Sequence, residues 1–284
     1  MKTQIPDFAT KSELFDYLRT NKAELIEAKK AEKTHTDTVC LAPLPLVAKG
    51  KTAAKANDPI TEDVDELRVK VVANTANWLD QDMDVLLPDA ARKSIEERKG
   101  NIPHIHDHIH KAEAKIGDVA DILLQDLNFS EIGIEGEGST QCIVFITDVF
   151  KELNENIFKQ YKRGIANQHS IGLRYVKVDL AINDPNATEE FAIWEKFFDQ
   201  IINPEMAIKL GFFWAVSEFK LIENSTVLFG SNSKTPTLAN DLSKATEPEQ
   251  DKTATTPDPE PEPQEATTQK AATSLLYNLL TKKR

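Results

Sequence analysis

Alternation of apolar and polar residues is clearest at Leu67–Ala73, LRVKVVA, a β-branched run that reads as a strand. Ile116–Leu127, Thr140–Thr147 (TQCIVFIT) and Gln168–Leu180 (QHSIGLRYVKVDL) read the same way, and Phe213–Phe229 is largely extended. Helical spacing governs other stretches. Leu14, Tyr17, Leu18, Leu25 and Ile26 form a narrow apolar stripe, with Glu24, Glu27, Lys29, Lys30 and Lys33 on the charged side. Thr10 and Glu13 have capping-box spacing at its start. So narrow a stripe is expected to lean on the domain or on a partner. Helices are also expected over Asp89–Lys99, stopped by Gly100, and over Asp148–Arg163, with Phe150, Leu153, Ile157, Phe158 and Tyr161 on the apolar side. A further helical run holds Phe191, Trp194, Phe197, Phe198 and Ile201, and Pro204 stands near a second helix start. Strands and helices mixed in this way give an α+β class.

The same pattern divides the chain. Residues 1–58 read as an N-terminal helix followed by a linker, Cys40–Pro59 being rich in proline, lysine and small residues. Residues 59–237 carry the alternating runs and form the folded domain. Residues 238–270 form an acidic linker, and Thr246–Gln264 holds too few apolar groups to offset the entropy of ordering. Residues 271–284 are expected to form a short helix, striped by Leu275, Leu276, Leu279 and Leu280 and ended by Lys282, Lys283 and Arg284. Such a stripe on a disordered tether seeks a partner, so both tails read as addresses rather than parts of the active domain.

Composition narrows the partners. Lys+Arg 34 against Asp+Glu 46 gives a formal charge of −12, which argues against a nucleic-acid-binding surface. Two cysteines in 284 residues fit a reducing compartment without a disulfide framework. No apolar run is long enough to span a bilayer, and the N-terminus lacks the apolar core of a signal peptide, so a soluble cytosolic chain without membrane partners is expected.

The chemistry concentrates at Asn101–Val119. Four of the six histidines, His104, His106, His108 and His110, occur in strict alternation, which on one strand would line a single face. Histidine is both a proton carrier near neutral pH and a common metal ligand. The metal reading is similar to the HxHxDH signature of metallo-β-lactamase-like hydrolases, but one residue is missing between His106 and Asp107, and this inverts the second half of the pattern. Ser170 is the candidate nucleophile, at the start of a strand and two residues before Gly172, where a backbone can approach closely. His169 is adjacent and would face the other way, which makes it structural.

Several short segments carry a resemblance. Ile102-Pro103 with His108 resembles the PxxxxH segment of tailed-phage prohead maturation proteases, and Ile116-Gly117-Asp118-Val119 resembles the IGxV that follows. Ser170-Ile171-Gly172-Leu173 resembles their S-[VI]-G-[FL] nucleophile segment. Asp84–Pro88 is similar to their GDVIxP loop, with Met83 where glycine is usual. Leu221–Val227 resembles the late LxEvSlV strand, and Ser231-Asn232 stands where PAN is common. The tryptophan usual before the histidine is missing, and the spacing from His108 to Ile116 is longer than usual, which makes His106 and His110 rivals for the base.

The resemblance implies a compact β-barrel with flanking helices, related to herpesvirus assemblin. It implies a serine endopeptidase, without cofactor or metal, that cuts scaffold and capsid segments and then itself. The implied partners are the major capsid protein and the scaffold, with self-association possible. The implied location is the host cytoplasm, inside the prohead. Ser170 would attack, His108 would act as base, and Glu223 would orient it. Glu223 lies on a strand face with Phe219, Leu221, Ser225, Val227 and Phe229, and a carboxylate there is costly unless paired. The oxyanion hole is open, with backbone N–H groups near Gly172 or Arg174 as candidates. Two other classes stand beside this one. A non-enzymatic capsid scaffold would need neither serine nor histidine, and a metal hydrolase would use the His104–His110 cluster.

Overall fold

Two β-sheets, each of four strands, carry the fold in a computed structural model that describes residues 5–31 and 63–241. The strands are β1 (Glu66–Thr75), β2 (Asp84–Leu86), β3 (His104–His106), β4 (Gly117–Asn128), β5 (Ser139–Phe150), β6 (His169–Ile182), β7 (Phe212–Thr226) and β8 (Thr237–Asp241). The first sheet has the order β4-β5-β1-β8 and is antiparallel throughout. In the second, β7 is central. The long β6 pairs with it antiparallel on one side, while β2 and β3 pair parallel with its two ends on the other. The described residues therefore form an α+β fold of two sheets, and the closed barrel implied by the resemblance is not formed.

Burial explains why the strands run as they do. β1 begins with alternation and then turns wholly apolar at Val71-Val72-Ala73, because it is covered on both faces. Val69 and Val71 face the main core with Phe145, Trp214 and Phe219, whereas Val72 packs with Leu127, Ile132, Val144 and Cys142. Strand β5 continues through Asp148–Phe150, where the sequence predicted a helix. The Arg68 guanidinium grips both Asp148 carboxylate oxygens at 2.6 Å across the β1–β5 pair, a cross-strand contact that helical periodicity cannot register. Helix α4 (Glu155–Lys162) starts only after Asn154, whose side chain accepts from the Ile157 N–H.

The N-terminal stripe folds as two helices, α1 (Lys11–Thr20) and α2 (Lys22–Lys30), with the capping box of Thr10 and Glu13 formed. Phe15, Leu18 and Leu25 are buried in the main core, so this segment leans on the domain. A polar anchor adds to that docking. The Lys29 ammonium lies 2.5 Å from the fully buried Asp84 carboxylate, which also accepts from the Tyr175 hydroxyl, and it sits over the rings of Tyr175 and Trp214.

Helix α3 (Arg92–Arg98) is shorter than Asp89–Lys99, because Asp89 is left-handed (φ 63°), and Gly100 lies in a 3-10 turn rather than a left-handed cap. Helices α5 (Thr188–Phe197) and α6 (Glu205–Leu210) follow, with Pro204 as the N-cap of the second. β8 is a strand whose residues 238–241 fall where the acidic linker was expected to begin. Its loop is pinned by the buried Asn232, whose amide donates to Asn74 Oδ1 and the Thr75 carbonyl. The expected linker over 40–58, the acidic segment Thr246–Gln264 and the leucine-striped 271–284 lie outside the described residues. No described helix is long and apolar enough to cross a membrane.

Candidate active site

The register of the second sheet sorts the chemistry onto two faces. Across β6 and β7, Ser170 pairs with Ser225 and Gly172 with Glu223, while His169 pairs with Thr226 and Ile171 with Asn224. Opposed residues of an antiparallel pair share a face. Ser170, Gly172, Glu223 and Ser225 are thus on one side of the sheet, and His169, Asn224 and Thr226 on the other. On β3, His104 pairs with Asn224 and His106 with Thr226, which places them on that second side.

The four histidines therefore do not line one face. Strand β3 ends at His106, and both Asp107 (φ 51°) and His108 (φ 54°) adopt left-handed backbone. Two consecutive non-glycine residues in that region are costly, of order 1–2 kcal/mol each. The turn carries His108 off the alternation and over to the side of Glu223. There its Nδ1 lies 2.6 Å from Glu223 Oε1, the two side chains being about nine-tenths or more buried. Glu223 Oε2 accepts from the Ser225 hydroxyl at 2.9 Å, and Ser225 Oγ accepts from the His108 N–H at 3.0 Å. Among the rival bases, His106 bonds Asp107 at 3.2 Å and His110 is exposed.

Gly172 makes room for the carboxylate. A Cβ at this position would stand 2.4 Å from Glu223 Oε1. Gly117 meets a similar need, since a Cβ there would fall 1.9 Å from the Asp148 carbonyl oxygen, and Met83 has φ 60° at the position where the resemblance has glycine. Ser170 itself is 8% exposed, near the start of a strand whose residues on either side of it are buried. A carboxylate only accepts, so the His108 proton belongs on Nδ1, and Nε2 carries the lone pair that a base requires.

The opposite face holds a buried polar chain of which the sequence marked only the two histidines, His104 and His169. His169 Nδ1 donates to the Thr235 carbonyl (2.8 Å), so Nε2 accepts from the Tyr161 hydroxyl (2.9 Å). Tyr161 then accepts from Thr226 Oγ1 (2.7 Å), Thr226 accepts from His104 Nε2 (3.1 Å), and His104 Nδ1 accepts from Thr147 (2.9 Å). Every proton has one place to go. Burial pushes the His169 imidazolium pKa down to about 4, and burial, with the charge of His169 second, holds His104 well below its usual range. Burial raises the Tyr161 hydroxyl above its usual range. Both rings stay neutral and serve as joints between β3, β5, β6, β7 and α4.

This bonding also bears on the metal reading. Both nitrogens of His104 are committed to threonine hydroxyls, and His108 Nδ1 is committed to Glu223. Among the described residues no group of three His, Cys, Asp or Glu side chains is arranged to hold an ion. Cys142 is buried, and its thiol is pushed up to about 11 by that burial, which disfavours the thiolate a ligand would need. No protein-family model, no curated protein and no solved structure matches the chain.

Proposed function

We propose that the chain is a serine endopeptidase in which Ser170 is the nucleophile, His108 the base and Glu223 the residue that orients it. The observation that carries this reading is the 2.6 Å bond from His108 to the buried Glu223, on the sheet face to which the β6–β7 register assigns Ser170. A carboxylate 1% exposed is costly unless paired, and Glu223 bonds an imidazole delivered by a strained turn. In the reaction Ser170 Oγ attacks the scissile carbonyl, and its proton passes to His108 Nε2. The imidazolium then protonates the leaving amine, and water repeats the sequence on the acyl-enzyme. Glu223 keeps the ring in the tautomer that accepts at Nε2. The substrates we assign are scaffold and capsid segments of an immature phage capsid, and the chain itself; the motif resemblance supports them.

The test is covalent labelling with a fluorophosphonate. Serine Oγ bonds phosphorus, fluoride leaves, and the hydroxyl proton goes to the base, so no cleavage sequence need be known. Wild type is expected to gain one adduct, mapped to Ser170 by peptide mass, and Ser170→Ala none. An adduct of equal yield on Ser170→Ala removes the nucleophile assignment, and no adduct on folded wild type removes the protease reading.

A further inference from the structure

We propose that Ser225 is a positioning residue of this site, a fourth side chain that fixes the base and its carboxylate together; the inference rests on the protease reading above. Its hydroxyl has one proton and spends it on Glu223 Oε2 at 2.9 Å. Its lone pair receives the His108 N–H at 3.0 Å. One buried atom, in a residue 0% exposed, thereby joins the backbone of the base to the far oxygen of its partner.

Both ends need holding. A carboxylate turns freely about its terminal bond, and a single contact to His108 Nδ1 does not define its plane. The second contact, through Oε2, does. At the other end, Asp107 and His108 occupy a left-handed turn that a surrounding bond must enforce. The Asp107 N–H is held by the Thr226 carbonyl at 3.1 Å, and the His108 N–H by Ser225, so the two residues after Asn224 grip the two strained residues in succession. Ser225 is also the cross-strand partner of Ser170, which sets it, like Glu223, between the strand of the nucleophile and the turn of the base. It is not a second nucleophile: it is buried, and its proton is aimed at a carboxylate oxygen rather than an imidazole nitrogen.

The experiment is the kinetics of fluorophosphonate labelling on the full chain, resolved into the affinity for the reagent and the first-order step. For Ser225→Ala the first-order step is expected to fall about 10- to 100-fold, the scale of an ångström-sized misplacement, with the affinity unchanged. Ser225→Thr restores the hydroxyl and is expected to recover most of the loss. Ser225→Ala labelling at the wild-type rate overturns the inference, as does Ser225→Thr labelling no faster than the alanine variant. A variant that loses reagent affinity instead of rate also overturns it, since that marks distorted packing. If Ser225→Ala does not fold, Ser225→Cys, which keeps the size but donates weakly, takes its place under the same criteria. Wild type that fails to label overturns the protease reading itself, an outcome separate from labelling that Ser225 does not influence.

Discussion

Gly172→Ala adds a single methyl group where Glu223 needs space. The new carbon would lie 2.4 Å from Glu223 Oε1 and 3.0 Å from Cδ and Cγ, whereas ordinary contact begins near 3.4 Å. Gly172 is not left-handed, so the backbone tolerates alanine and the whole effect falls on the carboxylate. A retreat of about 1 Å lengthens the His108–Glu223 contact from 2.6 Å to about 3.6 Å, beyond hydrogen-bond range. Losing a charge-assisted bond costs about 1.5–3 kcal/mol, and a 1 Å misplacement costs about 10²-fold in rate, or about 2.7 kcal/mol. The two routes agree. Overpacking should lower stability by about 1–3 kcal/mol.

The assay is the labelling rate, with urea unfolding beside it, in a double-mutant cycle with Glu223→Ala. In that background the carboxylate is gone, the added methyl meets nothing, and Gly172→Ala should cost under about 0.5 kcal/mol in either measure. Equal costs in both backgrounds would show that alanine acts on something other than Glu223, and wild-type labelling by the single variant would refute the steric argument outright.

Acid should unfold the protein through its buried histidines. Their folded-state pKa values are depressed, so the unfolded chain binds more protons below about pH 6.5, and the stability present above that pH is lost as the pH falls, for His169 toward about 4. His169 takes up its proton across that window and His104, also held low by burial, acts in the same direction, and urea midpoints at about pH 6.5 and about pH 5 that coincide would contradict this. Asp84→Asn leaves the Lys29 ammonium half-buried without its counter-charge and should cost about 3–5 kcal/mol, seen as a lower melting temperature and earlier proteolysis within 11–31. A wild-type cleavage pattern there would mean that α2 docks by its apolar residues alone.

Legibility in the sequence followed the kind of information each feature needs. The strands at 67–75, 117–128 and 169–182 were readable because their apolar periodicity is local. The end of β5 was not, because Asp148 stays extended through a guanidinium on a strand 80 residues away. The N-terminal stripe showed a helix but not its break at Asn21, and its leaning face was readable while its anchor, Asp84 with Tyr175, was not. Glycines 117 and 172 stood out as motif residues, and the contacts a Cβ would make supply the physical reason for each.

The histidine run shows where alternation stops being a guide. Read as one strand, it places His108 on the side of His104, among Thr147, Tyr161 and Phe145, where a base would be buried away from Ser170. The departure begins at Asp107 and continues through His108. Aspartate is several-fold enriched among left-handed non-glycine residues, because its short polar side chain can bond locally. Asp107 sits in the gap where isoleucine would continue the pattern of Ile105 and Ile109, and it is the point at which the chain turns over. Its Oδ2 bonds His106 Nδ1 at 3.2 Å, the kind of local contact that sustains such a conformation. An alternating run interrupted by aspartate therefore describes a strand, a turn and a histidine set on the opposite face. The buried Glu223, on the adjacent strand β7, is the residue that takes up the histidine so delivered.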